Sequence, residues 1–309
     1  FSLKLLATER SAGTSLIVNG ETLVVEETSP QSFDGMDIVF ISASGDASRK
    51  WAHIAVDAGA VVVDDSSAFR MDPDVPLIIP EVNGEDVEWN KGIISIPNCS
   101  TTQMVMVLDP LHRVNRIRRV LVDTYQSVSG AGRAAMDELT AQVGDVLNGT
   151  KPDSGEFPHQ IAFNLIPAIG EVLPNGYTKE EQKMRDETRK ILHDQTIAIS
   201  ASCVRVPVLV SHSEAMHVEF TEPISPEDAT RILSNCPGIK VVDELPNDIY
   251  PMPLHAEGED DVFVGRIRKD VSVECGLVMY VVSDNLRKGA ALNAVQIIEE
   301  ILRRDCLRR

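Results

Sequence analysis

ISIPNCSTTQMVMVL, the stretch from Ile94 to Leu108, joins the pattern of a buried strand to the pattern of a helix. β-Branched residues precede Pro97, and apolar residues recur at helical spacing after Cys99. Cys99 therefore lies where the strand gives way to the helix, and the hydroxyl residues at 100–102 are predicted to cap that helix. Unpaired backbone N–H groups and the helix dipole both favour a thiolate there. Cys99 is a candidate nucleophile, and the alternative is a small buried hydrophobic side chain.

The composition of the 309-residue chain is that of a globular protein, with 43% hydrophobic and 25% charged residues. This length predicts two domains, each with its own core. The sequence contains no apolar run long enough to span a bilayer and no basic leader. Its five cysteines are scattered without CxxC spacing, which predicts reduced thiols in a cytoplasmic protein and no metal site.

The net charge of −18 restricts the partners that the protein can have. Nucleic acid is not expected, because a phosphate backbone requires a basic surface. A membrane is not expected either, since no segment of the sequence suits one. An anionic small-molecule substrate would meet a repulsive average field, so a few convergent Arg or Lys side chains in a cleft would have to hold it.

Strand-like and helix-like segments alternate in the first third of the chain. Asp37–Gly45 and Ala60–Arg70 have the near-continuous apolar character of buried strands, and Ala47–Ala58 has the pattern of a helix between them. This order predicts right-handed crossovers and a parallel sheet. Sheets of this kind bind ligands beyond the carboxyl ends of their strands.

A polar turn follows the early strand Leu3–Ala7 and contains Arg10 and Ser11. These residues could hold the 2′-phosphate of NADP, whereas NAD would usually meet an acidic residue at this point. The alternative is a solvated turn. In a dinucleotide-binding fold a GxGxxG loop would precede Leu3. The one similar pattern begins at Gly130, outside the strand–helix alternation, which argues against its being the main pyrophosphate loop.

The chain after Cys99 has the pattern of a second sheet. Val120–Val128, Ile197–Val210 and Ala215–Thr221 read as strands, and Tyr177–Asp194 reads as a helix capped by Thr178. The segment 150–175 is rich in Pro, Gly, Phe and His and has no clear period. Such a segment is usually functional or forms an interface arm.

Five blocks of the sequence resemble the aspartate-semialdehyde dehydrogenase family in order and spacing: PNCSTTQ, TYQSVSGAG, CVRVPVLVSHSEA, GRIRKD and VSDNLRKGAALNA. The resemblance implies an α/β fold with a Rossmann-like NADP-binding domain at residues 1–98, truncated at its N-terminus and completed by a C-terminal helix at 286–309. It also implies an α+β catalytic and dimerisation domain of the glyceraldehyde-3-phosphate-dehydrogenase-like type at residues 99–285.

The same resemblance implies an NADP-dependent homodimer or homotetramer that converts L-aspartyl-4-phosphate to L-aspartate 4-semialdehyde and phosphate, in lysine, threonine and methionine biosynthesis. It implies that Cys99 forms a thioester and that His212 is the acid–base partner. The chemistry agrees, because an acyl phosphate is a good acyl donor and an imidazole moves protons near neutral pH. Without its surrounding block, His212 would read as an ordinary loop histidine.

The resemblance further assigns binding residues, although Lys183 and Gln126 would pass for ordinary polar positions by pattern alone. The implied substrate-binding residues are Arg70, Asn98, Gln126, Glu180, Lys183 and Arg205. Among them, Arg205 is implied to bind the substrate carboxylate, and Arg70 and Lys183 the phosphate, as suits cationic donors. The implied cofactor-binding residues are Arg10, Ser11, Ser129, Gly130 and Asn285.

The sequence departs from the family pattern in three places. Ser211 stands where many members have glycine before the histidine, and we expect its small side chain to be tolerated. Thr14 replaces a frequent lysine, which could weaken the hold on the 2′-phosphate. The first strand, Gly-rich loop and helix of family members are not in the sequence, so we expect this chain to bind NADP poorly and to hold its first domain loosely.

Three alternatives to this function remain open at the level of sequence. Another acyl-phosphate reductase, such as the N-acetylglutamyl-phosphate enzyme, would use the same cysteine and histidine chemistry. A cysteine hydrolase would use Cys99 and His212 without a nicotinamide. An inactive, oligomer-forming fragment would retain the fold and form no thioester.

Overall fold

The computed structural model describes residues 2–307. Phe1, Arg308 and Arg309, which the predicted ranges 1–98 and 286–309 include, lie outside the described residues. The strands are β1 Leu5–Ala7, β2 Ser15–Val18, β3 Glu21–Glu27, β4 Ile38–Ile41, β5 Val61–Asp64, β6 Ile93–Ser95, β7 Ile117–Gln126, β8 Ala198–Arg205, β9 His212–Phe220, β10 Ile239–Val241, β11 Val262–Lys269 and β12 Gly276–Ser283.

The α-helices alternate with these strands and include two of a single turn. They are α1 Gly45–Asp57, α2 Pro80–Asn83, α3 Cys99–Val114, α4 Arg133–Leu147, α5 Lys179–Ile191, α6 Pro226–Leu233, α7 Pro253–Ala256 and α8 Leu292–Arg303. Between residues 2 and 307, the helices are all too short or too polar to cross a membrane.

The first part of the chain forms two separate three-stranded sheets. In one, β4, β5 and β6 are parallel, as the strand–helix alternation predicts. In the other, β3 pairs with β1 in parallel and with β2 through the Asn19–Gly20 turn, where both residues have positive φ. Residues from β1 and β4, among them Leu6 and Val39, line a common cavity of about 320 Å³ between the two sheets.

The second part of the chain forms a six-stranded mixed sheet in the order β10-β11-β12-β9-β7-β8. The helices α3, α5 and α6 contribute buried side chains to the same apolar core as this sheet, among them Met104, Met184 and Leu233. Tyr125 and Tyr280 lie on the strands β7 and β12 with their rings 6.4 Å apart. Tyr125 is exposed, so the two tyrosines mark the face of the sheet opposite to the core.

The segment after β12 is not one regular α-helix. Residues Arg287–Ala291 form a π-helix that leads into α8. The apolar residues Ala294, Ile297 and Ile301 of α8 are buried in one cluster with side chains of β5 and β6. The C-terminal helix therefore packs on the parallel sheet at the beginning of the chain, and the π-helix approaches Cys99 at Gly289.

Candidate active site

Cys99 is the first residue of α3, directly after the buried strand β6. Asn98 is the N-cap residue, and its side chain makes no capping hydrogen bond. Its carbonyl accepts hydrogen bonds from the backbone N–H and the hydroxyl of Thr102, at 2.9 and 3.1 Å. The strand-to-helix position of Cys99 agrees with the sequence pattern, but the predicted capping by residues 100–102 is wrong, because these residues lie inside the first turn.

The thiol of Cys99 is neutral in this environment. Burial, and then the charge of Glu180, raise the pKa of Cys99 to about 12, although Arg70 and other cations lower it in part. The helix N-terminus was expected to favour the thiolate, and that expectation fails because the cost of burying a charge outweighs the helix dipole. An anion formed on Cys99 therefore needs a proton acceptor and the nearby cations.

Glu180 organises the polar side chains around Cys99. Its Oε1 accepts hydrogen bonds from Asn98 Nδ2 at 2.7 Å and from Gln126 Nε2 at 3.1 Å, and its Oε2 accepts one from Lys183 Nζ at 3.1 Å. Burial raises the pKa of Glu180, but the charge of Lys183 and these hydrogen bonds outweigh burial and lower it to about 2. Glu180 is thus an ionised, fully bonded carboxylate at the centre of the site.

Arg70 reaches the site from the loop after β5 and is buried. Its Nη1 donates to Glu187 Oε1 at 3.2 Å, and its Nη2 donates to the carbonyl of Asp65 at 2.9 Å. Glu187 Oε2 also accepts a hydrogen bond from the backbone N–H of Asn98 at 2.7 Å. Glu187 is not among the residues predicted from the sequence. Its position on the apolar face of α5, three residues after the buried Met184, is the pattern that could have revealed it.

Arg205 ends β8 and lies on the opposite side of the site. Its Nη1 donates to the carbonyl of Ser127 at 2.6 Å, and its guanidinium lies 6.0 Å from the centre of the Phe157 ring. A Cβ atom on Gly130 would lie 3.0 Å from Arg205 Nη1 and from His212 Nε2. Glycine at 130 therefore keeps the arginine and the histidine accessible to a ligand.

His212 begins β9 and is fully buried. Its Nδ1 lies 3.1 Å from the backbone N–H of Ser127 and 3.0 Å from the Ser127 hydroxyl. The Ser127 N–H can only donate, so Nδ1 is its acceptor and the neutral ring carries its proton on Nε2, while the Ser127 hydroxyl can donate to or accept from Nδ1. Within the described residues, the buried Nε2 has no partner. Burial and the charge of Arg205 lower the pKa of His212 to about 3, so the ring is neutral.

Ser211 has φ +74°, a left-handed conformation that explains why glycine suits this position. Its backbone N–H donates to Asn285 Oδ1 at 2.9 Å. The same oxygen accepts a hydrogen bond from the hydroxyl of Ser129 at 3.0 Å. The structure accordingly brings Ser129, Gly130 and Asn285 together beside His212, as a group that fits the reactive end of a nicotinamide cofactor.

Arg10 and Ser11 lie away from this group, in the turn after β1. The turn is held by a hydrogen bond from the Ser11 N–H to the carbonyl of Thr8 at 2.9 Å. Arg10 is exposed, so its guanidinium is available to an anionic group such as a 2′-phosphate. Arg10 could hold an anionic part of a nucleotide cofactor, and Ser129, Gly130 and Asn285 could hold another part of it.

The charges around Cys99 favour an anionic ligand. The cations are Arg70, Lys183 and Arg205, and the carboxylates paired with them or bonded beside them are Glu180 and Glu187. Asp65 also interacts electrostatically with Arg70, so these cations and carboxylates are equal in number, in a protein whose net charge is −18. The three cations nevertheless converge on Cys99, as the net charge predicts for a site that binds an anionic substrate.

The chain is similar to known proteins along nearly its whole length. Residues 2–89 match a family model described as the NAD-binding domain of semialdehyde dehydrogenase, and residues 108–288 match the model of its dimerisation domain. The aspartate-semialdehyde dehydrogenase of Aquifex aeolicus is 52% identical over 305 residues, which cover 97% of this chain and 90% of the relative.

Two solved structures extend the comparison. Aspartate semialdehyde dehydrogenase II from Vibrio cholerae, complexed with ASA, matches with a TM-score of 0.95 and 46% identity over 98% of this chain and 90% of that chain. The Candida albicans enzyme with NADP matches with a TM-score of 0.75 and 26% identity over 98% of this chain and 91% of that chain. The likeness thus extends over both parts of the fold.

Proposed function

The chain belongs to the aspartate-semialdehyde dehydrogenase family, and on that premise we propose how its residues perform the reaction of this family. The protein is an oxidoreductase of amino-acid biosynthesis that reductively dephosphorylates L-aspartyl-4-phosphate to L-aspartate 4-semialdehyde. One observation carries the proposed residue roles: the thiol of Cys99 lies at a helix N-terminus, and Arg70, Lys183 and Arg205 are close enough to offset part of the rise in its pKa. Such a site suits a nucleophile that attacks an anionic acyl donor.

Arg205 binds the substrate carboxylate, and Glu180 receives its amino group. Arg70 and Lys183 hold the phosphate near Asn98, and Gln126 orients the acyl group. Cys99 Sγ then bonds to the acyl carbon as the bond from carbon to the phosphate oxygen breaks, which leaves a thioester and phosphate. These roles use donors and cations that the structure holds in fixed positions before substrate arrives.

His212 moves protons for this chemistry through Nε2. Its pKa is low in the free protein because of burial and Arg205. A substrate anion beside Arg205 would offset that positive charge and raise the pKa of the ring. Nε2 accepts the Cys99 proton once the ring proton has moved to Nδ1, where the Ser127 hydroxyl can accept it. In the reduction step, Nε2 would donate a proton to the oxygen that develops negative charge. The nicotinamide, when bound, would supply the hydride to the thioester carbon. The bond from this carbon to Cys99 Sγ then breaks, which releases the semialdehyde, and the proton returns through His212 Nε2 to Sγ.

The cofactor that we propose is NADP, held by Arg10 and Ser11 at the 2′-phosphate and by Ser129, Gly130 and Asn285 at the nicotinamide. The family model supports a nucleotide-binding domain and a dimerisation domain, and the Candida albicans relative carries NADP. The protein is a homo-oligomer, and we propose a cytoplasmic homodimer as its unit. We place the division between the two domains at residues 98–99, with the C-terminal helix on the first domain.

The reverse reaction tests the proposal. Aspartate semialdehyde should reduce NADP only when phosphate is present, and NAD should serve less well. Cys99→Ser should lower kcat by about 10⁴-fold or more without altering the fold, because a hydroxyl replaces the covalent nucleophile. Retained activity in this variant would overturn the role of Cys99. Preference for the longer aldehyde derived from N-acetylglutamate would overturn the substrate, and turnover without a nicotinamide would favour a hydrolase.

A further inference from the structure

Glu187 is a buried carboxylate, 1% exposed, that makes two different contacts in the site. Its Oε2 accepts the backbone N–H of Asn98 at 2.7 Å, and its Oε1 accepts Arg70 Nη1 at 3.2 Å. Glu187 touches neither the thiol of Cys99 nor, by the proposed roles, the substrate. Both of its contacts are with groups that carry the proposed reaction.

The contact with Asn98 controls where the nucleophile lies. Asn98 is the residue before Cys99, and its carbonyl is already bonded to Thr102 in the next turn of α3. The Glu187 contact holds the other side of the same residue, at its N–H. The backbone just before Cys99 is therefore held by hydrogen bonds on both sides, and this limits the positions available to Cys99 Sγ.

The contact with Arg70 controls the direction of a phosphate-binding cation. Arg70 Nη1 is held by Glu187, and Nη2 is held by the carbonyl of Asp65 at 2.9 Å. An arginine side chain loses considerable rotamer freedom when it binds a ligand. These two contacts restrict that freedom in the free protein, so less is lost when phosphate binds.

We propose that Glu187 is a positioning residue with two separable tasks, in which Oε2 fixes the Asn98–Cys99 backbone and Oε1 orients Arg70 for the phosphate. The second task rests on the proposed function of Arg70. The first task concerns only the position of the thiol, and it can be measured without substrate or cofactor.

Glu187→Gln separates the two tasks. The amide oxygen can still accept the Asn98 N–H, whereas the amide nitrogen is a donor and cannot accept from Arg70 Nη1. We expect the KM for phosphate in the reverse reaction to rise by about tenfold or more, with kcat changed less, since one charge-assisted contact to Arg70 is lost. The rate of Cys99 alkylation by iodoacetamide should stay within about twofold of the wild type, because the Asn98 contact remains.

Glu187→Leu removes both contacts. In this variant we expect the pH dependence of Cys99 alkylation to change as well, and kcat to fall by about 10- to 100-fold, because the backbone at Asn98 is released. Asp186→Asn is the matched control, since it removes one negative charge from the residue just before Glu187 in α5. The carboxylate of Asp186 pairs with Arg185 and not with Arg70. The control should leave the phosphate KM and the alkylation rate unchanged.

Three comparisons decide the outcome. If Arg70→Lys raises the phosphate KM but Glu187→Gln does not, the orienting task is overturned while the function of Arg70 stands. If Arg70→Lys itself leaves the phosphate KM unchanged, the proposed function of Arg70 fails, and with it the orienting task of Glu187. An unchanged alkylation profile in folded Glu187→Leu overturns the first task. Should that variant fail to fold, accelerated or slowed alkylation in Glu187→Gln, which retains the size of the side chain, would overturn the separation of the tasks.

Discussion

The six-stranded sheet under Cys99 and the small β1-β3-β2 sheet differ sharply in how they are supported. In β9, most side chains are buried, and the strand pairs with β7 and β12 on its two sides. In the small sheet, Leu16, Ile17 and Val24 are 53%, 78% and 56% exposed, and Val25 alone of β2 and β3 is buried. Cys99 and His212 therefore lie on a packed core, whereas the turn with Arg10 rests on a sheet that has few buried side chains.

This difference in burial is not a difference between the first and the second part of the chain. The strand β5 belongs to the first part of the chain, yet all four of its residues are buried. It has β4 and β6 at its sides, and α8 from the C-terminus packs in the same cluster. The packing of other elements against a sheet therefore decides the local stability of that sheet. Within the described residues, few buried side chains pack against the small sheet.

Amide hydrogen exchange should show the largest contrast between these two regions. The Val25 N–H donates to the carbonyl of Thr14 at 2.8 Å, so it is protected only as long as the small sheet stays closed. We expect it to exchange about a thousandfold faster than the amides of β9, because little buried apolar surface opposes local opening. The Val62 N–H, which donates to the carbonyl of Gly92 at 2.8 Å in the parallel sheet, is the control. Equal protection at Val25 and in β9 would contradict the comparison.

A single methyl group should damage the packed region. A Cβ at Gly289, in the π-helix, would lie 2.8 Å from the Cβ of Cys99, so Gly289→Ala must displace the nucleophile or the π-helix. We expect kcat to fall by about 100-fold, since a small misplacement of reacting groups has effects of this size. The secondary structure should be retained, as measured by circular dichroism.

Gly144→Ala is the matched control for this substitution. Gly144 lies within α4, and a Cβ there would meet nothing within 4 Å. Alanine should leave kcat unchanged and stabilise the helix by about 0.5–1 kcal/mol. A similar loss of activity in both variants would show that the tight approach at Gly289 is not the cause.

The sequence predicts those features of the site that local patterns encode. The strand-to-helix position of Cys99 follows from β-branched residues before Pro97 and helical spacing afterwards. The cap of α5 follows equally well, because Thr178 accepts the Glu181 N–H and Glu181 accepts the Thr178 N–H. In both cases the residues that interact are close in the chain.

Features that depend on distant contacts could not be predicted in this way. The pairing of Arg70 with Glu187 spans 117 positions in the chain, and the burial that raises the pKa of Cys99 comes from several elements. Lys288 would be expected at the surface, but it is buried, with Nζ donating to Asn293 Oδ1 at 3.1 Å and to Glu81. This buried lysine lies within the π-helix, which the regular apolar spacing of residues 286–304 does not reveal.

A smaller effect should arise from Glu214, which lies two residues after His212 on the buried face of β9. It is fully buried, and both of its carboxylate oxygens lack a hydrogen-bond partner among the residues that the structure describes. Burial raises the pKa of Glu214 well above its usual value. Burial therefore favours the neutral form of this side chain in the folded protein.

This raised pKa makes the stability depend on pH in a defined direction. The unfolded chain loses the Glu214 proton above the usual glutamate pKa of about 4.3, whereas the folded chain retains it. The unfolded state then binds fewer protons than the folded state, so this group's contribution to stability is lost as the pH rises from about 4.3 towards the folded pKa. Glu214→Gln, which cannot ionise, should remove the loss.

The melting temperature of Glu214→Gln should therefore equal that of the wild type near pH 4 and exceed it by about 2–4 °C at pH 8, which corresponds to roughly 1–2 kcal/mol in a chain of this size. Thermal melts of the two proteins across this pH range measure the difference. Glu219→Gln in the same strand is the control, because Glu219 lies 3.9 Å from Arg118 and remains partly exposed. A difference at Glu214 that did not grow with pH would mean that its carboxyl ionises within the fold, and the packed layer beneath Cys99 and His212 would then hold a buried negative charge.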